Sequence, residues 1–427
     1  MISRREVLAG LGTVAAAEVA RPLGSIANSR GGSISAEPSA AISAAISPAI
    51  SLPVKRDFAI PEGLTYINSA YTHPMPVAGA AALREWSEAR SQLKAVSQPK
   101  NPINIKAEFA ALINAKESEI SYVPNTSTGE NLVVNGLDID YKSDNVVSDA
   151  LHFEGALLHL QALQRKVGLD VRVVMPRDWR IDLKDIERVV DKKTKLIEIS
   201  LIAMHNGFQH DLKAVCDLAH AHGAYVYADI AQAAGATPID VRATGVDFCA
   251  CSSFKWLMAD FGLGFLFVRE ELLDRVFHRS QFGYYEASSI ESHFLPGDPS
   301  GPGAYTFALY NNATGHCEAG TPALGTAQVL TRSLPYIRKL GVENIVAHRQ
   351  PMLKRLHEEM PRLGFTPLTP VESTSALVSF SVKDPEPVRQ RLQKASVNAR
   401  VSERYIRVSP SVFNDMNDID RLLEALA

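Results

Sequence analysis

No stretch of eighteen consecutive apolar residues occurs in the 427-residue chain, so no membrane-spanning helix is predicted. Cysteine is scarce. Four residues cannot form a disulfide framework in a chain this long. An excess of one charge is missing too: 44 basic residues face 47 acidic ones. That balance offers no electrostatic footprint for nucleic acid. Gly262 and Gly264 lack the surroundings of a dinucleotide-binding loop. His220 and His222, two apart on a predicted helix, do not share a face as paired metal ligands would. No internal repeat is visible. With 46% hydrophobic and 21% charged residues, wholesale disorder is excluded and a sizeable core is possible. The length suits one large domain and a smaller one.

The amino terminus reads Ser3-Arg4-Arg5-Glu6-Val7-Leu8, then a mildly apolar, Gly- and Ala-rich stretch to Ala17. Charge, apolar run and small residues come in the order of a twin-arginine export signal. Residues 1–23 are expected to form that signal, with a basic tail as the plainer alternative. Residues 24–53 are rich in Ser, Ala, Gly and Ile with isolated prolines, which predicts a flexible linker. The twin-arginine route carries folded proteins, so export to the periplasm is expected to be compatible with loading any bound group beforehand.

Beyond this the chain alternates. Short apolar runs predict strands at Asp144–Val147, Val171–Val174, Leu196–Leu201, Tyr225–Asp229, Phe248–Cys251 and Gly264–Val268. Helical spacing fills the intervals, as in His152–Val167 and in Leu212–His222, which stops before Gly223. Strands apolar throughout and separated by helices predict an α/β fold with a mostly parallel sheet covered on both faces. Residues 54–330 are assigned to this large domain, with 54–75 as an N-terminal arm. Residues 331–427 read as a small α+β domain. Its predicted elements are a helix near Val342–Met360, a strand in Ala376–Val382, a helix at Pro387–Ala395, a strand at Tyr405–Ser409 and a final helix at Met416–Leu426.

Four features follow one another in the large domain. Thr126 and Ser127 stand at a helix start, where free backbone N–H groups can hold a phosphate or the hydroxyls can merely cap. His152 opens the next long helix and could lie flat on an aromatic ring. Asp229 ends a hydrophobic strand, at the sheet edge where ligands of open α/β sheets bind. An ionised carboxylate there can hold a pyridinium N–H. Lys255 follows an apolar strand and a small-residue turn, suitably placed to bond an aldehyde cofactor. Cys249 and Cys251, alternating on a strand, read as small core residues. Cys317 could lie near a site. The stretch from Pro296 to Gly303 is a Gly- and Pro-rich loop.

Taken in order, these residues resemble the class V group of fold-type I pyridoxal-phosphate enzymes. That group includes cysteine desulfurases, isopenicillin N epimerase-like proteins and kynureninase. The similarity runs from Tyr66-Ile67-Asn68-Ser69-Ala70 to the C-terminus. It implies a homodimer with bound pyridoxal 5'-phosphate. Lys255 would carry the Schiff base, His152 stack on the ring, Asp229 face the ring nitrogen and Gln232 the ring hydroxyl. Thr126, Ser127 and Ser252 would hold the phosphate. Thr321, in Glu318-Ala319-Gly320-Thr321-Pro322, would reach the phosphate of the neighbouring subunit. Arg407, in Arg407-Val408-Ser409-Pro410, would grip a substrate α-carboxylate.

There are departures. The loop from Lys394 to Val401, where desulfurases carry a nucleophilic cysteine, has none. Phe254 stands where the family has a histidine. The loop Ala203-Met204-His205-Asn206-Gly207 lacks an asparagine at its usual place, with His205 and Asn206 both open as substitutes. The expected activity is therefore transamination on the amino group of an amino acid or peptide-like metabolite, as in the exported enzymes that mature siderophore peptides. A C–S lyase or an epimerase is the alternative, an inactive binding scaffold a further one, and cysteine desulfuration is set aside. The expected partner is a small-molecule amine or amino acid. No metal, nucleic acid or membrane partner is expected once the leader is removed.

Overall fold

Apolar runs rich in Val, Ile, Phe and Tyr assemble into one seven-stranded sheet in the computed structural model, which describes residues 51–92 and 103–427. Its strands are β1 Ile120–Val123, β2 Asn145–Asp149, β3 Asp170–Val174, β4 Thr194–Ser200, β5 Tyr225–Asp229, β6 Phe248–Ser252 and β7 Gly264–Val268. The order across the sheet is β1-β7-β6-β5-β4-β2-β3. β7 runs antiparallel to both its neighbours, and the other pairs are parallel. This is the mostly parallel α/β sheet that the sequence predicts.

The register sorts the side chains. Tyr227 lies opposite Glu198 and Phe248 on one face. Val226 lies opposite Ile197, and Ala228 opposite Ile199, on the other. The first face is covered by Leu132 and Val133 of a helix at Thr126–Gly136 and by Leu160 of a helix at Glu154–Val167. The second is covered by Val215 and Ala219 of a helix at Leu212–Ala221. Burial on both faces explains why these strands are apolar throughout.

The C-terminal part builds a separate sheet from β8 Val378–Ser381, β9 Arg400–Val401 and β10 Tyr405–Val408, in the order β8-β10-β9 and antiparallel throughout. Helices at Val342–Glu359 and Met416–Leu426 bury Leu353, Leu356, Ile419 and Leu422 against Phe380 and Ile406. The expected seam between residues 330 and 331 falls inside a continuous helix, Leu324–Leu340. Pro335 and several hydroxyl residues interrupt the sequence pattern there, so the helix was not expected. The N-terminal arm also attaches differently. Thr65–Tyr66 pairs in parallel with Val397–Asn398, and Ile67 is buried in the C-terminal core. The arm thus serves both parts, with Val54 and Phe58 in the main core and Ile67 in the C-terminal one. The short edge strand β1 and an exposed hairpin, Ala287–Ser292 with Tyr305–Leu309, were likewise not expected. The Gly- and Pro-rich loop lies between the hairpin strands. The proposed export signal, and the linker up to residue 50, lie outside the described residues.

Candidate active site

Three chain reversals at strand ends create the site. β5 ends on Asp229, which is buried and accepts a hydrogen bond from Ala231 N–H through Oδ1 at 2.8 Å. Burial pushes its carboxyl up, and the positive charge of Lys255 pulls it back. β6 ends on Ser252, and the turn that follows carries Lys255. Burial lowers the Lys255 amine. Asp229 and Glu154 oppose that shift, while Arg407 and Arg400 reinforce it. No ion pair fixes Lys255 among the described residues. A buried amine held toward its neutral form is what a nucleophilic lysine needs.

The phosphate candidates come together. Thr126 Oγ1 lies 2.9 Å from Ser252 Oγ, and Thr126 N–H donates to the same Ser252 oxygen at 3.2 Å. This brings a strand end against a helix N-terminus, a natural anion seat. Asn125 caps the helix by accepting from Thr128 N–H. Ser127 is in its first turn, half-buried.

His152 is fully buried, and burial lowers its ring to about 4. Its Nδ1 meets Ser200 Oγ at 2.9 Å, while Nε2 has no partner among the described residues. A neutral, flat ring with an unpaired nitrogen suits contact with a cofactor ring. Behind it stands a pair that the sequence reading did not single out. Asp149 ends β2, accepts from Leu151 N–H at 2.8 Å and lies 3.1 Å from His210 Nε2. An acid at the C-terminal end of a strand is the same signal that marked Asp229.

Arg407 on β10 is buried, which lowers it to about 10. It donates from Nη1 to the Met204 carbonyl at 2.7 Å, and its Nε has no partner among the described residues. The question of His205 or Asn206 resolves by their contacts. Asn206 is spent on the loop, donating to the carbonyls of Trp179 and Leu368 and accepting from Phe208 N–H. His205 belongs to the site cluster, 3.1 Å from Glu154 Oε1 and 3.3 Å from the Tyr405 hydroxyl.

Other candidates sit differently from expectation. Gln232 uses both amide ends in the fold: Nε2 donates to the Ala70 carbonyl at 3.0 Å, and Oε1 accepts from Trp256 Nε1 at 2.9 Å. It joins the opening motif to the lysine turn and keeps the second N–H of its amide for a further acceptor. Thr321 is exposed and contacts the Tyr284 hydroxyl, not Ser252 or Thr126 of its own chain. Phe254 stacks on Phe261, with ring centroids 4.5 Å apart. All four cysteines are buried, and burial pushes the thiols of Cys216 and Cys317 up to about 12. No metal-ligating cluster occurs among the described residues.

Known proteins resemble this chain in sequence and in shape. A probable cysteine desulfurase of Streptomyces coelicolor is 29% identical over 70% of this chain and 71% of its own. The apo structure of a cysteine desulfurase from Thermococcus onnurineus has a TM-score of 0.75 at 24% identity, covering 88% of this chain and 97% of its own. The cystine C–S lyase C-DES, in complex with its product cysteine persulfide, has a TM-score of 0.70 at 20% identity, covering 85% and 97%. These relatives overturn two expectations. Transamination in the periplasm as the favoured activity, and the setting aside of desulfuration, both fail against relatives named for C–S chemistry. The missing loop cysteine was too narrow a basis, since a lyase can release sulfur without a protein thiol. The family model described as aminotransferase class-V matches residues 89–422, and the chain belongs to that family, whose cofactor, pyridoxal phosphate, the buried lysine, the unpaired histidine nitrogen and the paired hydroxyls fit.

Proposed function

We propose that this protein is a pyridoxal-phosphate-dependent lyase that breaks the C–S bond of a small sulfur-containing amino acid. The observation that carries this reading is the clustering of Lys255, Asp229 and Arg407 in a chain whose four cysteines are all buried. Sulfur would then leave with the product or pass to an external acceptor. The bound cofactor supplies an electron sink for the bonds at the substrate Cα. Arg407 holds the substrate carboxylate. Lys255 Nζ would take the Cα proton. From a thiol or disulfide substrate the C–H pair would form the Cα–Cβ double bond as the Cβ–S pair leaves with sulfur, giving pyruvate and ammonia after hydrolysis. A sulfinate would instead leave as SO2 with its pair kept on Cβ, which takes up a proton to give alanine. Asp229 keeps a proton on the ring nitrogen. Ser252, Thr126 and the backbone N–H groups near Ser127 bind the phosphate. His152 stays neutral at working pH, and its ring excludes water from one face of the cofactor.

The exposed position of Thr321 supports a homodimer in which this residue serves the neighbouring site. Light scattering of the purified protein tests that assembly. Export through the twin-arginine leader is supported by sequence alone, and cell fractionation tests it. For the activity, the holoenzyme is incubated with L-cysteine, L-cystine and cysteine sulfinate, with assays for released sulfur and for alanine or pyruvate. Release of sulfur supports the lyase reading. Turnover of none of the three refutes it.

A further inference from the structure

Two arginines stand side by side at the site. Antiparallel pairing sets Arg400 on β9 directly opposite Arg407 on β10. Directly opposed residues of an antiparallel pair project from the same face, and like charges so placed repel each other. Among the described residues neither guanidinium forms an ion pair with a carboxylate. Arg407 makes one hydrogen bond, to the Met204 carbonyl at 2.7 Å. Arg400 is half-buried, with its guanidinium 5.5 Å from the centre of the Tyr71 ring. Glu154, the acid that shares this neighbourhood, is 3.1 Å from His205. Both arginines act electrostatically on Lys255 and on His205, which places the pair beside the reacting groups.

A substrate α-carboxylate satisfies one of these cations. The second is left without a counter-charge in a partly desolvated place, which is costly unless the ligand supplies it. We infer that Arg400 is a specificity residue that binds a second anionic group, carried on the substrate side chain. The substrate class is an amino acid whose side chain ends in a carboxylate or a sulfinate, with cysteine sulfinate the sulfur-bearing example. The choice of a sulfur compound rests on the lyase reading above; the anion site itself does not. The Tyr71 ring, 5.5 Å from the guanidinium, attracts its charge without using a hydrogen-bond acceptor, which leaves the N–H groups to the anion.

The test is a titration of the holoenzyme, followed in the visible band of the bound cofactor. The ligands are matched pairs, aspartate with asparagine and cysteine sulfinate with cysteine. One charge-assisted contact predicts that the charged member of each pair binds about tenfold or more tightly. Arg400→Ala should bring that ratio toward one, and Arg400→Lys should keep part of it. A wild-type ratio near one overturns the inference, and so does a ratio that survives Arg400→Ala. If the alanine variant does not fold, the wild-type ratio and Arg400→Gln decide. A charged-ligand preference without sulfur release from any of L-cysteine, L-cystine and cysteine sulfinate supports the anion site and refutes the lyase reading.

Discussion

Removing the Ser252 hydroxyl takes one of two adjacent donors out of the proposed phosphate seat. Ser252 is buried, 2.9 Å from the Thr126 hydroxyl and 3.2 Å from the Thr126 nitrogen. A hydrogen bond from a neutral donor to a charged group contributes about 1.5–3 kcal/mol. Ser252→Ala is therefore expected to weaken pyridoxal phosphate binding by about 10- to 150-fold. Thr126→Val removes the other hydroxyl at similar cost. The two oxygens touch, so the losses should not add. Coupling of about 0.5–3 kcal/mol is typical of residues in one hydrogen-bond network. The assay is titration of cofactor-free protein with pyridoxal phosphate, read by quenching of tryptophan fluorescence and by the visible band. Trp256, one residue beyond Lys255 and buried, is a suitable reporter. A change below about twofold for Ser252→Ala, or full additivity in the double variant, would refute a shared phosphate seat.

Lys255→Ala should abolish the borohydride-trapped cofactor adduct seen by mass spectrometry, while noncovalent cofactor binding persists; an adduct that survives places the attachment elsewhere. His152 falls from 6.5 in the unfolded chain to about 4 when folded, so the unfolded state binds more protons between those values and stability drops as pH falls through that window. The loss approaches about 3 kcal/mol by pH 4, and melting curves of His152→Phe against wild type between pH 7.5 and pH 5 should show a flatter pH dependence in the variant. Gly235 has φ 89°, and a Cβ there would lie 2.5 Å from the Trp256 carbonyl oxygen; Gly235→Ala should lower the melting temperature and slow cofactor attachment at Lys255, and an unchanged melting temperature would contradict the close packing of that turn. Because Arg407 and Arg400 both help lower the Lys255 amine, Arg400→Gln should raise it, so the pH midpoint for cofactor attachment to the apoprotein should move upward; a downward move would reverse the sign argued here.

The central sheet was legible because its strands are buried on both faces. Tyr225–Asp229 and Gly264–Val268 were placed to the residue, and the other four expected strands were displaced by no more than two residues at either end. Residues at the C-terminal ends of those strands then stood out, since a polar group at the end of an apolar run has few other reasons to be there. What escaped lacked such contrast. β1 is a four-residue edge strand containing Ser121 and Tyr122. The hairpin pairs a largely polar strand, Ala287–Ser292, with one whose Tyr305, Phe307 and Leu309 are exposed, so its pattern did not read as buried structure. The Leu324–Leu340 helix carries an internal proline, which ordinarily ends a helix; the packing of Val329, Leu330 and Ile337 in the main core outweighs that penalty.

The site itself divides along a similar line. Lys255, Asp229, His152, Ser252 and Thr126 each follow from one strand end or one helix start, so each is visible locally. Gln232 was visible as a cofactor-ligand candidate by position, but only the structure shows that Ala70 and Trp256, from other segments, fix the orientation of its amide. Arg400 presents the reverse case. Nothing near it in the chain distinguishes it from the other surface arginines of the C-terminal region. Its proposed role comes from strand register, which sets it against Arg407 with no ion-paired acid for either among the described residues. The candidate residues for the chemistry of the site are therefore written locally, at strand ends and helix starts. The choice of substrate is written in pairings between distant segments, which sequence order does not reveal. The cofactor could therefore be inferred from motifs while the favoured reaction was misjudged: no motif in the chain specifies which bond breaks, and the loop without a cysteine was given too much weight against relatives named as cysteine desulfurases.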